Sequence, residues 1–147
     1  MKTVKVLFVC IHNSARSQMA ESFLNLLGNG DFIALSAGIE PGELNPIVIQ
    51  AMGETGIDIS NNRTKSVDAF LHSKSNFDYV ITVCDETNAE RCPVFPGNVS
   101  RLHWGFRDPS SFTGTIEEKL IQTRIVRDEI RGKIQNWIIT TDFIKGN

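Results

Sequence analysis

The chain has 147 residues, a length that can bury a real core, and we expect residues 1–147 to form a single domain. Its net charge of −2 gives no electrostatic reason to expect a nucleic acid or an anionic membrane as partner. The longest apolar run near the N-terminus, residues 6–11, is far shorter than the roughly 20 residues of a membrane span. No signal-type segment precedes it, so we predict a cytoplasmic protein.

The first predicted elements are a buried strand over residues 4–9 and a helix over 14–27, joined by a Cys-x5-Arg-Ser loop. The strand delivers Cys10 to the loop, and Arg16 and Ser17 stand at the start of the helix. Loop N–H groups, the positive helix end and the Arg16 guanidinium are suited to hold a tetrahedral oxyanion. The same positive field favours a nucleophilic thiolate at Cys10, to which Ser17 could donate a hydrogen bond. The alternative is a buried strand-end cysteine beside a surface arginine.

The predicted oxyanion-binding loop consists of Ile11, His12, Asn13, Ser14, Ala15, Arg16 and Ser17.

Strand and helix signals then alternate along the chain, which indicates parallel crossover units and an α/β, doubly wound sheet. Asn45 is a predicted helix cap, and Pro46 suits the first position of the helix that follows. In such sheets ligands bind at the carboxyl ends of the strands. The further elements are predicted as a strand at 32–36, a helix from 46 to about 55, a loop at 57–66, a short helix at 67–71, and strands at 77–83 and 101–104.

A capping box formed by Thr115 and Glu118 predicts the start of a long final helix. Isoleucines recur along it at roughly helical spacing, and we expect this stripe to pack in the core. The stripe and its neighbours are Ile121, Ile125, Val126, Ile130, Ile134, Trp137 and Ile138.

Cys84 follows the predicted strand at 77–83, which places it on the same sheet edge as Cys10. Cys84 and Cys92 flank a polar stretch that offers little core to bury a thiol, although two incidental buried thiols remain the alternative. If the stretch is helical, the two backbones lie about 12 Å apart, whereas a disulfide needs Cα atoms within roughly 7 Å. A Cys84–Cys92 bond would therefore require the segment to unwind or bend. The spacing of cysteines and histidines predicts no metal centre.

Asp108 follows the last predicted strand and so lies on the same edge as the two cysteines. Displacing an oxygen from a tetrahedral oxyanion needs a proton donor, and this carboxyl could serve. The alternative is that Asp108 only begins an Asp-Pro turn. We expect His12 and His103 to be loop or strand-end residues without a chemical role.

These motifs together resemble the thioredoxin-coupled arsenate reductases, which share the fold of the low-molecular-weight protein tyrosine phosphatases. The resemblance covers the chain from Val6 to about Trp137. It rests on the segments 10–21, 36–40, 44–46 and 56–60, on the pair Cys84 and Cys92, and on His103-Trp-Gly-Phe106 with Asp108-Pro109.

The resemblance implies a four-stranded parallel sheet flanked by helices, and a relay of three thiols without an organic cofactor. By this analogy Cys10 attacks arsenate, Arg16 and the loop amides hold its oxygens, and Asp108 protonates the departing oxygen. Cys84 then attacks Cys10, which releases arsenite and leaves a Cys10–Cys84 disulfide. Cys92 attacks Cys84 in turn, and the resulting disulfide is presented to thioredoxin.

Some members of this family bind potassium near the positions of Asn13, Glu21 and Ser36 and of an aspartate in a later loop. This chain has Thr64-Lys65-Ser66 where that aspartate would be. We therefore predict no bound metal, and one hypothesis is that the Lys65 ammonium takes the cation's place. The alternative is that Lys65 is a solvated loop charge.

Two other functions fit part of the pattern. A low-molecular-weight protein tyrosine phosphatase would use Cys10, Arg16 and Asp108 in the same way but would not need Cys84 and Cys92. Such phosphatases usually carry aromatic residues just after the Asp-Pro, where this chain has two serines. A non-catalytic oxyanion sensor or phosphoprotein-binding module would have no need of the Cys10 nucleophile.

Overall fold

The computed structural model describes residues 3–71 and 76–145 as a four-stranded, all-parallel sheet with strand order β2-β1-β3-β4. Reversal of the strand order at β1 makes the sheet doubly wound, and the predicted fold class is confirmed. The strands are β1 (Val4–Cys10), β2 (Phe32–Gly38), β3 (Tyr79–Thr82) and β4 (Ser100–His103). The helices are α1 (Arg16–Leu27), α2 (Pro46–Gly53), α3 (Val67–Leu71), α4 (Glu86–Ala89) and α5 (Ile116–Lys145).

Strand β1 is central, and its side chains alternate between two hydrophobic clusters. Val6, Phe8 and Cys10 point into a large cluster that α1, α2 and α5 cover, which we call the first face. Leu7 and Val9 point into a smaller cluster on the second face, covered by α3 and residues 92–99. Burial on both faces explains why the strand is apolar almost without interruption.

The ends of several elements differ from the predicted ones for local reasons. Helix α1 begins at Arg16 and not at residue 14, because Ser14 and Ala15 belong to the loop that precedes it. Strand β2 extends two residues further than predicted, to Gly38, which pairs with Cys10. The predicted cap at Asn45 is confirmed: its side chain accepts hydrogen bonds from the N–H groups of residues 47 and 48.

The long helix α5 begins with the predicted capping box, in which Thr115 and Glu118 exchange hydrogen bonds of 3.2 and 3.1 Å. The predicted isoleucine stripe is wrong at its start, since Ile121 and Ile125 are each 50% exposed. Ile121 lies nine residues before Ile130, and nine steps of 100° turn a side chain to the opposite side of a helix. The buried side of α5 consists of Leu120, Thr123, Val126, Ile130 and Ile134, with Trp137 and Ile138 partly buried.

Among residues 3–71 and 76–145, no helix is long and apolar enough to cross a membrane.

Candidate active site

The carbonyl groups of the loop between β1 and α1 point away from its centre. Those of residues 10, 11, 12 and 14 accept hydrogen bonds of 2.7–3.1 Å from the N–H groups of residues 39, 40, 42 and 45. In a trans peptide the next residue's N–H points opposite to the carbonyl. The N–H groups of residues 11, 12, 13 and 15 therefore turn toward the inside of the loop, as an oxyanion site requires.

Gly38 allows this loop to lie directly against strand β2. A Cβ atom at Gly38 would stand 2.8 Å from backbone atoms of Ile11, His12 and Asn13. Because those neighbours are backbone, they cannot turn aside as a flexible side chain could. The glycine lies within a motif of the family resemblance, but residue-level reasoning from the sequence gave it no role.

The sulfur of Cys10 is buried and lies within reach of two hydrogen-bond donors. The Ser17 hydroxyl oxygen lies 2.8 Å from it, and the backbone N–H of Asn13 donates to it at 3.2 Å. The Asn13 side-chain amide donates to the Ser17 oxygen at 2.8 Å, so the hydroxyl hydrogen is directed to the sulfur. Two donors thus converge on the Cys10 sulfur.

Asn13 is the centre of a buried polar network behind the loop. Its φ angle of 56° lies in the left-handed region, which asparagine tolerates better than most residues. Its side-chain oxygen accepts from the Gln18 amide at 3.1 Å and from the backbone N–H of Lys65 at 2.9 Å. The network thereby fixes the orientation of the Asn13 amide and, through it, of Ser17.

The guanidinium of Arg16 is buried, with a side chain only 5% exposed. Its Nη1 donates to the carbonyl of Phe106 at 3.2 Å, and its Nη2 lies 3.5 Å from Oδ2 of Asp108. Its Nε is also buried but has no hydrogen-bond partner within the described part of the chain. A buried donor without a partner is unfavourable, and an oxyanion in the loop would provide the missing acceptor.

Asp108 begins a turn, as one of the two sequence-based alternatives predicted, and its carboxyl also faces Arg16. Its Oδ1 accepts from the Ser110 N–H at 3.0 Å and caps a short 3₁₀ turn, while its Oδ2 faces Arg16. The carboxyl is 29% exposed, so water can reach it. The turn holds the carboxyl at the edge of the site without occupying both of its oxygens.

Cys84 lies just beyond β3, next to β1, and its side chain shares the first-face cluster with Cys10. Burial raises the pKa of the Cys84 thiol to about 11, and the neighbouring Cys10 raises it as well, whereas Arg16 lowers it. Cys84 is therefore a neutral thiol at neutral pH. Cys84 thus follows the strand that pairs with β1 and lies on the same sheet edge as Cys10, as predicted from the strand ends.

Cys92 is buried on the second face, in a different cluster from Cys10 and Cys84. Burial raises the pKa of this thiol too, and the charge of Arg101 lowers it. The helical case that the sequence analysis considered for the stretch between the two cysteines holds only for Glu86–Ala89, which form α4. All three cysteines are free thiols, so the structure is that of the fully reduced protein.

The two histidines make local contacts of the kind expected of loop and strand-end residues. Nδ1 of His12 lies 2.7 Å from the carbonyl oxygen of Glu40, and Nδ1 of His103 lies 2.7 Å from the hydroxyl of Thr82. A further contact that the sequence did not suggest is a 3.0 Å hydrogen bond from Asn45 to Ser110, which joins two loops near the site.

The carboxyl of Glu21 accepts a 3.1 Å hydrogen bond from Ser36. Burial raises the pKa of Glu21, while the charge of Lys65 and the Ser36 hydrogen bond lower it. The Lys65 ammonium donates to the Arg63 carbonyl at 3.0 Å. A positive charge thus already acts on Glu21. That Lys65 takes a cation's place stays a prediction.

Replacing Lys65 by methionine should lower stability more at pH 7.5 than at pH 5. Burial makes the folded protein bind the Glu21 proton more tightly than the unfolded chain does, so stability falls as the pH rises through the raised pKa. Without Lys65 the pKa of Glu21 rises further, so the stability continues to fall up to a higher pH. We expect a loss on the order of 1 kcal/mol at pH 7.5 and a smaller one at pH 5, measured by urea unfolding.

Lys65→Arg keeps the charge and should retain most of the stability. In a Glu21→Gln background, Lys65→Met should have no pH-dependent effect. A potassium-specific stabilisation of the unmutated protein, at equal ionic strength of sodium, would contradict the role given to Lys65.

Comparison with known proteins agrees with this site. Residues 5–142 match the family model of low molecular weight phosphotyrosine protein phosphatases. The chain is 41% identical over 140 residues to an arsenate reductase of Bacillus subtilis, covering 95% of this chain and 99% of that one. A solved arsenate reductase in its oxidized state superposes with a TM-score of 0.76, at 32% identity, over 95% of this chain and 98% of that one.

A thioredoxin-dependent arsenate reductase of Corynebacterium glutamicum also superposes, with a TM-score of 0.59 at 28% identity. The match covers 91% of this chain and 63% of that protein.

Proposed function

The chain belongs to the low molecular weight phosphotyrosine protein phosphatase family, in which it groups with the arsenate reductases, and we propose on this premise that it reduces arsenate to arsenite. We propose further that the electrons pass through a relay of Cys10, Cys84 and Cys92, and that thioredoxin restores the thiols. The relatives that carry the name arsenate reductase support the reaction. The thioredoxin dependence of one structural neighbour supports the reductant.

One observation favours a reductase over a phosphatase: a second thiol, Cys84, shares the buried cluster of the nucleophile Cys10. Phosphate-ester hydrolysis needs only Cys10, the loop, Arg16 and Asp108. With a neighbouring thiol the site can supply two electrons, because oxidation of the two thiols to one disulfide releases two.

In the first step the Cys10 thiolate attacks arsenic and forms a sulfur–arsenic bond. The loop N–H groups hold the oxygens, together with Nε of Arg16, which has no partner among the described residues. These donors stabilise the developing negative charge. Asp108 donates a proton to the departing oxygen, which leaves as water. Arsenic is still As(V) at this point.

In the second step the sulfur of Cys84 attacks the sulfur of Cys10, and the electron pair of the sulfur–arsenic bond passes to arsenic. Arsenic leaves as arsenite, and the Cys10–Cys84 disulfide forms. Cys84 gives up its proton as it attacks, and the positive charge of Arg16, which lowers the pKa of Cys84, favours that loss.

In the third step the sulfur of Cys92 attacks that of Cys84, and Cys10 leaves as a thiolate ready for another cycle. The Cys84–Cys92 disulfide then accepts two electrons from the dithiol of thioredoxin. Since Cys92 is buried on the second face, this step requires the segment around α4 to rearrange.

The test of the function is arsenate-dependent oxidation of thioredoxin by the purified protein, measured beside aryl-phosphate hydrolysis. We expect sustained oxidation that needs both arsenate and the protein. Hydrolysis of the aryl phosphate with no thioredoxin oxidation would instead identify a phosphatase.

Replacing Asp108 by asparagine should slow the reaction of Cys10 with arsenate by about 10²–10⁴-fold, because an amide cannot supply the proton. Asparagine can still accept the Ser110 hydrogen bond, so the turn should persist. Rapid-mixing measurement of Cys10 modification isolates this step from the later ones. An unchanged rate would leave Asp108 with its turn-forming role alone.

A further inference from the structure

The segment from Asp85 to Cys92, which we call the redox segment, is held from outside by Arg101 of β4. Nη2 of Arg101 donates to the carbonyl oxygen of Ala89 at 2.8 Å and to that of Cys92 at 3.2 Å. Ala89 is the last residue of α4, and its carbonyl also accepts from the Cys92 N–H at 3.2 Å. One guanidinium therefore joins the end of the helix to the third cysteine.

The redox segment has little packing of its own. None of the four residues of α4 is buried, and its N-terminus is capped by Asp85, which accepts from the Asn88 N–H at 2.9 Å. The Arg91–Glu40 ion pair is exposed on both sides, so it contributes little. Short segments with few apolar contacts open at low free energy, and contacts from outside have a correspondingly large influence.

The dithiol and disulfide forms of Cys84 and Cys92 cannot share this geometry. Helix α4 covers only Glu86–Ala89 of the stretch between the two cysteines, and a disulfide needs their Cα atoms within roughly 7 Å. The two thiols also lie in clusters on opposite faces of the sheet. Bond formation must therefore unwind the residues whose carbonyls Arg101 holds, or draw Cys92 away from Arg101.

We propose that Arg101 is a positioning residue that stabilises the dithiol form of the redox segment over its disulfide form. The inference rests on the proposed relay, because it concerns the disulfide that ends the relay. In the relay this disulfide forms when the Cys92 sulfur displaces Cys10 from Cys84: the electron pair of the broken Cys10–Cys84 bond leaves with the Cys10 thiolate, the Cys92 proton passes to solvent, and the hydrogen bonds to Arg101 are lost. When a dithiol reductant returns the electrons, those bonds form again and favour reduction.

The experiment uses the full chain with Cys10→Ser, which retains Cys84 and Cys92 as its only thiols. The protein is equilibrated with mixtures of oxidised and reduced dithiothreitol, and the fraction of Cys84–Cys92 disulfide is measured by mass spectrometry. Adding Arg101→Met should shift the equilibrium about tenfold toward the disulfide, equal to about 30 mV for a two-electron couple. Arg101→Lys keeps a charged donor and should shift it less.

The matched control is Arg124→Met, which removes the same charge from an exposed arginine that pairs with Glu54 on α2's C-terminal side. It should leave the equilibrium unchanged. Thermal unfolding supplies a second readout: Arg101→Met should lower the melting temperature of the reduced form more than that of the oxidised form. A purely structural role of Arg101 would lower both equally.

The outcomes separate the two proposals. If no Cys84–Cys92 disulfide forms at any dithiothreitol ratio, the relay itself is wrong. If the disulfide forms but Arg101→Met leaves its equilibrium and the difference between the two melting temperatures unchanged, the relay stands and the role of Arg101 is overturned.

Discussion

Replacing Cys10 by serine should abolish both arsenate reduction and aryl-phosphate hydrolysis. The serine hydroxyl stays protonated at neutral pH, whereas a thiol is a far better nucleophile, and the sulfur of Cys10 faces the N–H of Asn13 and the hydroxyl of Ser17. Both reactions begin with attack by this atom, so no later group can compensate. Steady-state assays with arsenate and with an aryl phosphate measure the two losses separately.

The fold of the Cys10→Ser protein should be retained, since oxygen is smaller than sulfur and can keep the contact with Ser17. Circular dichroism and thermal unfolding provide this control. Normal turnover by a folded Cys10→Ser protein would remove the nucleophile from the proposed mechanism.

Replacing Cys84 or Cys92 by serine should stop repeated arsenate reduction while residual aryl-phosphate hydrolysis remains. Hydrolysis uses Cys10, the loop, Arg16 and Asp108, which neither substitution removes. The two variants should differ in a single turnover. Cys92→Ser should release one arsenite per protein and stop with a Cys10–Cys84 disulfide, while Cys84→Ser should release none.

Thiol titration after exposure to arsenate distinguishes these states. The unmutated chain has three free thiols and should retain one of them. Cys92→Ser should retain none. Cys84→Ser should retain both of its thiols, or only one where the arsenic adduct of Cys10 is isolated intact. Multiple turnover with thioredoxin at the parent rate in both variants would contradict the relay and favour the phosphatase function.

The sequence predicted the parts of the site that depend on local pattern. A buried strand that ends in Cys10, a loop closed by Arg16 and a helix behind it are consecutive in the chain, so their arrangement follows from secondary structure alone. Placing Cys84 and Asp108 on the same edge followed from the parallel topology, in which the carboxyl ends of all strands meet.

What the sequence did not predict depends on contacts between distant residues. Gly38 lies directly against the loop, and Arg101 donates hydrogen bonds to the redox segment. Both contacts join positions that no short-range sequence pattern connects. Ile121 was misassigned because the isoleucine spacing was followed over too many turns, and a small angular error per residue accumulates to half a revolution. The edge position of Cys92 was inferable, but the face on which it is buried was not.

The three thiols are divided between the two faces of the sheet, and this division separates arsenate reduction from recovery of the thiols in the proposed cycle. Cys10 and Cys84 lie in the hydrophobic cluster on the first face of the sheet, while Cys92 is buried in the cluster on the second face. In the proposed cycle Cys92 can reach Cys84 only after the segment around α4 rearranges. That rearrangement would link arsenate reduction at Cys10 to recovery of the thiols by thioredoxin.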